Sequence, residues 1–243
     1  MIRVAPSMLS ADFLHLEKDV ELVNKHADLF HLDVMDGVFV PNISFGFPIV
    51  EAIAKKSTKP LDVHLMIVKP ENYVDRFVKV GADMISFHVN ATEDPAAVLA
   101  QIHSHGVQAG LVINPDLPVE SLFPYLKDCD FVMLMSVFAG FGGQKFIEET
   151  YDRVRALKAE IQRQGLNIPI EINLLGLRSG RHYPSDRFFR IVAEVGNPVV
   201  LGCDSHCPAD MAIPQNVQDG YDMAERHGLR VLERVTLRNP KDA

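Results

Sequence analysis

The sequence predicts an α/β fold, and within that class a (β/α)8 TIM-like barrel with an additional, ninth strand at its C-terminal end. Two observations carry the prediction. Eight short apolar runs alternate with eight longer stretches whose apolar residues recur near every 3.6 positions, the pattern of strands separated by amphipathic helices. Glycine stands at or just past the end of many longer stretches, where a helix C-cap takes a positive φ. An open doubly wound sheet is the alternative, because alternation defines the units and not their closure.

Residues 3–8 (RVAPSM) read as the first strand and 11–26 as the first helix. The second unit pairs a strand at 29–34 (LFHLDV) with a helix at 47–56. Strand 61–66 (LDVHLM) is followed by helix 71–81, closed by Gly81, and strand 84–88 (MISFH) by helix 95–106, closed by Gly106. Strand 108–113 (QAGLVI) leads to a helical pattern at 118–128. Strand 131–136 (FVMLMS) leads to helix 147–165, closed by Gly165. The last two units are strand 169–174 with helix 185–196, ending at Gly196, and strand 198–202 with helix 216–228, ending at Gly228. Beyond them, residues 229–240 alternate only partly, Val231, Glu233, Val235 and Leu237 against Arg230, Leu232, Arg234 and Thr236, and give the ninth strand. No low-complexity linker separates the parts, so residues 1–243 are expected to form a single barrel domain.

Composition narrows the function classes. A hydrophobic share of 47% supplies a sizeable core, while no run reaches the roughly 20 apolar residues of a membrane span. The N-terminus MIRVAPSML lacks the layout of a signal peptide. Cys129, Cys203 and Cys207 are too few for a disulfide framework, which fits a reducing, cytoplasmic setting. The net charge of −8 argues against nucleic acid and anionic membrane as partners, although backbone N–H groups can still hold a phosphate locally.

In a parallel barrel the chemistry lies at the C-terminal ends of the strands. Those ends hold Ser7, His31, Asp33, Met35, Asp36, His64, Met66, His88, Ser136, Glu171, Asn173, Asp204 and His206. His31 and Asp33 are two residues apart on one strand and so share a face. His64 ends the next strand. Two imidazoles and a carboxylate make a reasonable site for divalent zinc, manganese or iron. The turn 140–144 (GFGGQ) precedes a helix and can present N–H groups to an anion.

Residues 5–13 (APSMLSADF), 31–46 (HLDVMDGVFVPNISFG), 61–73 (LDVHLMIVKPENY) and 140–147 (GFGGQKFI) closely resemble ribulose-phosphate 3-epimerase, and the resemblance runs from Met1 to about Ile168. It implies a barrel that interconverts ribulose 5-phosphate and xylulose 5-phosphate through a metal-stabilised enediolate. By that resemblance His31, Asp33 and His64 are metal ligands and Asp33 is also an acid/base. Ser7 contacts substrate, Met35 and Met66 line the reacting carbons, and Gly142 and Gly143 help hold the phosphate. The family closes its seventh strand with Glu-Val-Asp-Gly-Gly, whose Asp is the second acid/base. Here that stretch is 171–175 (EINLL), so Asn173 stands at the Asp position and leucines replace the glycines. Other departures are Phe138–Ala139 for the usual Asn-Pro, Asn90 for an acid, and Gly202–Cys203–Asp204 where Gly-Ser is usual.

From Pro169 the chain is similar to something else. Residues 170–211, with Glu-Ile-Asn, Gly-Leu-Arg, Tyr-Pro-Ser and a strand leading into Asp-Ser-His, resemble the C-terminal part of PHP metallophosphoesterases of the histidinol-phosphatase type. That resemblance adds Asp204 and His206 as further metal ligands and accounts for the ninth strand. The expectation is a chimeric, engineered barrel, epimerase-like over 1–168 and PHP-like over 169–243, with a divalent metal site and no efficient native activity. An impaired sugar-phosphate 3-epimerase and a metal-dependent phosphoesterase are the alternatives. The expected partners are a small phosphorylated sugar and further copies of the chain in a homo-oligomer.

Overall fold

Strand register is what builds this molecule, because one residue in two on each strand belongs to a different environment. The structure is a computed structural model that describes residues 5–142, 144–166, 193, 222 and 225–228, and the backbone of 170–173 and 199–202. Five parallel strands form one sheet in the order β1 (Phe30–Met35), β2 (Leu61–Met66), β3 (Met84–His88), β4 (Gln108–Ile113) and β5 (Phe131–Leu134). Ser7 adds a parallel bridge to His31 on the outer side of β1. A second parallel pair joins β6 (Ile170–Asn173) to β7 (Val199–Gly202). The strand read at 3–8 is thus described only as the Ser7 bridge, and the ninth strand at 229–240 lies outside the described residues.

One face of the sheet carries Phe30, Leu32, Val34, Val63, Leu65, Ile85, Phe87, Leu111 and Ile113, all buried in a single apolar core with the helices. The helices are α1 (Leu16–His26), α2 (Phe47–Lys56), α3 (Val74–Val80), α4 (Pro95–Ser104) and α5 (Thr150–Arg163). Val20, Val23, Val50, Ile53, Phe77, Leu99, Ile102, Leu157 and Ile161 are their contributions to the core. Each such side chain stabilises the fold by about 1.5–3 kcal/mol when fully removed from water. Local chemistry fixes the helix ends. Asp94 caps α4 by accepting the Ala97 N–H at 3.1 Å, with Pro95 at the first helical position. Gly81 ends α3 at φ +109°, its N–H directed to the Phe77 and Val78 carbonyls.

Two helical readings change. The helix expected from residue 11 begins only at Leu16, because the Asp12 carboxylate takes the Leu14 N–H at 3.0 Å and holds a turn there instead. The pattern at 118–128 is a 3₁₀-helix, Val119–Asp128, with Pro124 inside it. Proline has no N–H for an i→i−4 bond and crowds the preceding turn. Most of the helices read at 185–196 and 216–228 lies outside the described residues.

The opposite face of the same strands is polar. In the ladder between β1 and β2, His31 stands beside Asp62, Asp33 beside His64 and Met35 beside Met66. Between β2 and β3, His64 stands beside Ser86. Gly110 on β4 leaves room that the Phe131 ring fills from β5: a Cβ there would lie 2.3 Å from the ring.

Candidate functional site

Asp33 is the centre of the polar face. Its Oδ2 accepts the Ser7 hydroxyl at 2.5 Å, and its Oδ1 lies 3.2 Å from both His31 Nε2 and His64 Nδ1. Three elements supply these groups: the Ser7 bridge, β1 and β2. Ser7 is itself held, since its Oγ also accepts the Leu9 N–H at 3.2 Å as the cap of the 3₁₀ turn Met8–Ser10. The remaining nitrogen of each imidazole has its own partner. His31 Nδ1 lies 2.7 Å from Asp62 Oδ2, and His64 Nε2 lies 3.1 Å from His88 Nε2.

These contacts set the charges. Burial opposes ionisation of His31, but Asp33 and Asp62 on either side outweigh it and hold the imidazole well above its ordinary range. Burial likewise disfavours the Asp33 carboxylate. The His31 charge and the hydrogen bonds from His31 and His64 outweigh that too, and keep the carboxyl well below its ordinary range. His88 is pushed well below the imidazole range by burial and by the neighbouring His64.

The wall around this centre is apolar. Met35, Met66, Val40 and Ala139 form a separate buried cluster, with Leu9, Phe39 and Met135 against it. Met35 and Met66 stand two residues beyond Asp33 and His64 on the same faces of β1 and β2, and Met135, just past the end of β5, packs against their cluster, a contribution the sequence reading did not single out. Asp36, collected as a strand-end acid, has a fastening role: it accepts the N–H groups of Val38, Phe39 and Val68, each at 2.8 Å. Asn42 donates to the Gly140 carbonyl at 2.8 Å and so ties the loop after β1 to the loop after β5. Ser136 accepts the Ile147 N–H through its carbonyl at 3.0 Å. Gly142 is exposed in that loop, while Gly143, Asp204 and His206 lie outside the described residues. The backbone of Glu171 and Asn173 pairs with Val200 and Gly202.

His31, Asp33 and His64 present one ligand atom each within 4.8 Å of one another. This donor set suits a divalent cation on chemical grounds. A carboxylate supplies charge, two imidazoles supply nitrogen, and Asp62 and His88 occupy the far ring nitrogens. None of the described helices is long and apolar enough to cross a membrane.

A profile of the ribulose-phosphate 3 epimerase family matches residues 3–176. The chain belongs to the ribulose-phosphate 3-epimerase family. Ribulose-phosphate 3-epimerase of Synechocystis sp. is 49% identical over 175 residues, covering 71% of this chain and 76% of that protein. The Bacillus subtilis enzyme is 46% identical over 166 residues, covering 68% and 76%. Solved structures place the fold among TIM-like barrels. Orotidine 5'-monophosphate decarboxylase of Methanocaldococcus jannaschii superposes with a TM-score of 0.57 at 14% identity, over 92% of this chain and 98% of that one. Phosphoribosyl anthranilate isomerase of Thermococcus kodakaraensis gives 0.55 at 11% identity, over 92% and 99%. Family membership gives the chain the architecture of a sugar-phosphate epimerase, with the triad on β1 and β2 in its matched part.

Proposed function

We propose that this chain is an epimerase-family barrel that keeps one half of the reaction: proton exchange alpha to the carbonyl of a small phosphorylated sugar, from the Asp33 face alone. The convergence of Ser7, His31 and His64 on the Asp33 carboxylate supports this reading. The carboxylate takes the C3 proton of ribulose 5-phosphate, and the C–H electron pair moves toward the C2 carbonyl to give an enediolate. His31, Asp33 and His64 would hold a divalent cation, which neutralises negative charge developing on the substrate oxygens when bound. Ser7 orients Asp33, the three methionines exclude water, and Gly142 with Gly143 is the expected phosphate contact. Return of the proton from Asp33 regenerates the starting sugar. Inversion needs an acid on the opposite face, and Asn173 has no exchangeable carboxyl proton to give.

We further propose, from sequence alone, that residues 169–243 complete a single barrel domain with PHP-metallophosphoesterase-like sequence, making the chain a chimera, engineered or fused. The Asp204–Ser205–His206 sequence is what supports this reading. Hydrolysis of small phosphomonoesters that is lost in Asp204→Asn would support a phosphatase role for the graft.

The deciding experiment follows the C3 proton of ribulose 5-phosphate in D₂O with Mn²⁺ or Zn²⁺. Deuterium uptake without net xylulose 5-phosphate is expected, with epimerisation appearing in Asn173→Asp. No uptake by either protein overturns the reading.

A further inference from the structure

The segment that leads from β5 into the 140–142 turn is held at three points. At its start one terminal nitrogen of Arg153, on α5, donates to the Met135 carbonyl at 3.3 Å. The other terminal nitrogen donates into the loop after β4, to the carbonyls of Asn114 at 2.8 Å and Leu117 at 3.1 Å. The Asn114 side chain reaches back across and accepts the Ala139 N–H at 3.2 Å. From the opposite side Asn42 donates to the Gly140 carbonyl at 2.8 Å. A single guanidinium thus fastens the ends of two strands to one helix, which suits its rigid planar fork of donors.

The fastened positions belong to the wall of the site. Ala139 is buried in the cluster with Met35, Met66 and Val40, and Met135 packs against it. Phe141 and Gly142 follow directly and are exposed. Their N–H groups have no acceptor among the described residues and so remain open to an anion. Gln144 braces the turn from within, donating to the Phe138 carbonyl at 2.5 Å and the Phe141 carbonyl at 2.7 Å. Ala139 stands where the family resemblance has proline, which carries no N–H, so the bond to Asn114 is this chain's own.

We propose that Arg153 and Asn114 are positioning residues that preset the 140–142 turn for the phosphate of the sugar substrate. The inference rests on reading that turn as the phosphate contact. Neither side chain needs to touch the anion. They act through Met135 and Ala139, and a turn fixed beforehand has less backbone freedom to lose when the phosphate arrives. Their contribution therefore belongs to affinity, in the bound sugar and in the transition state alike, and not to proton transfer at Asp33.

The test measures the dissociation constant of inorganic phosphate by NMR titration of the full chain, beside KM and kcat for C3 deuterium exchange of ribulose 5-phosphate. Arg153→Met and Asn114→Ala should each weaken phosphate binding and raise KM about tenfold, with kcat within about threefold of the parent. Arg153→Lys keeps the charge but cannot span three carbonyls in a fixed fork, and should behave like Arg153→Met. The double variant should be little worse than either single one, since both break the same chain of contacts. Full recovery in Arg153→Lys, additive losses in the double variant, or unchanged phosphate binding in the folded single variants overturns the proposal. If the variants fail to fold, amide exchange in the parent decides. The Ala139 N–H should be protected with and without phosphate, and rapid exchange without it overturns the preset turn. A parent chain that binds no phosphate also overturns this inference. A parent chain that binds phosphate without exchanging the C3 proton overturns the proposed half-reaction instead, and the variants still decide the role of Arg153 and Asn114 through phosphate affinity.

Discussion

His31 Nδ1 and Asp62 Oδ2 lie 2.7 Å apart across neighbouring strands, on the side of the imidazole that faces away from Asp33. The contact orients the ring so that its Nε2 faces Asp33 Oδ1, the side on which the proposed cation would sit. Asp62→Asn keeps the shape but replaces an anion with an amide that both donates and accepts. The variant should bind Mn²⁺ or Zn²⁺ about 10–100-fold more weakly by calorimetry. The His31 ring should titrate closer to the ordinary imidazole range, read from its ring-proton chemical shifts. Unchanged affinity would show that Asp62 has no part in holding the ligand.

Metal uptake should depend on pH with a definite sign. His31 is held protonated beyond its ordinary range by Asp33 and Asp62, so a cation must displace that proton. Affinity should rise with pH until the metal-free His31 has lost its proton. Titration in buffers of different ionisation enthalpy should report proton release below that point.

The same groups shape the stability of the metal-free protein. His31, raised above its unfolded value of 6.5, contributes stability that is complete below 6.5 and is lost as pH climbs through the raised value. Asp33, lowered below 3.8, contributes stability present above 3.8 and lost as pH falls through the lowered value. Urea midpoints should therefore form a plateau between these limits and fall away on both sides. In Asp33→Asn both shoulders should flatten.

Asp33→Asn should also cut C3 deuterium exchange by about 10²–10⁴-fold, the usual contribution of a positioned base. Circular dichroism should show the fold retained, because the amide can still accept from Ser7. Exchange at the parent rate would place the base elsewhere.

Gly110→Ala tests the packing under the site. Its new Cβ would lie 2.3 Å from the Phe131 ring, so the ring must move. Overpacking of this kind costs about 1–3 kcal/mol, read as a lower urea midpoint with the slope unchanged. Adding Phe131→Leu should recover part of the loss.

Much of the fold was legible because the strands are short, apolar and sharply bounded. β2, β3 and β4 occupy residues 61–66, 84–88 and 108–113, the ranges expected from pattern alone. The helical pattern at 118–128 was misread, since amphipathic spacing does not register that Pro124 denies a backbone bond. In the site, His31 and Asp33 were legible from their two-residue spacing, and His64 from its place at the next strand end. Asp62 was not, although it shares a face with His64. Its role depends on standing beside His31, and strand register is a property of two segments together. His88 was collected as a strand end but given no role, for the same reason.

Ser7, His31, Asp33, Asp62 and His64 all fall within the first 66 residues of the chain, on one edge of the sheet. The residues proposed to hold a cation thus lie in one uninterrupted stretch of sequence. Under the proposed reading, a breakpoint beyond β3 passes that stretch on entire and leaves the opposing acid to the sequence that follows. The proposed half-reaction and the acid needed to complete it are thus assigned to separable parts of one chain.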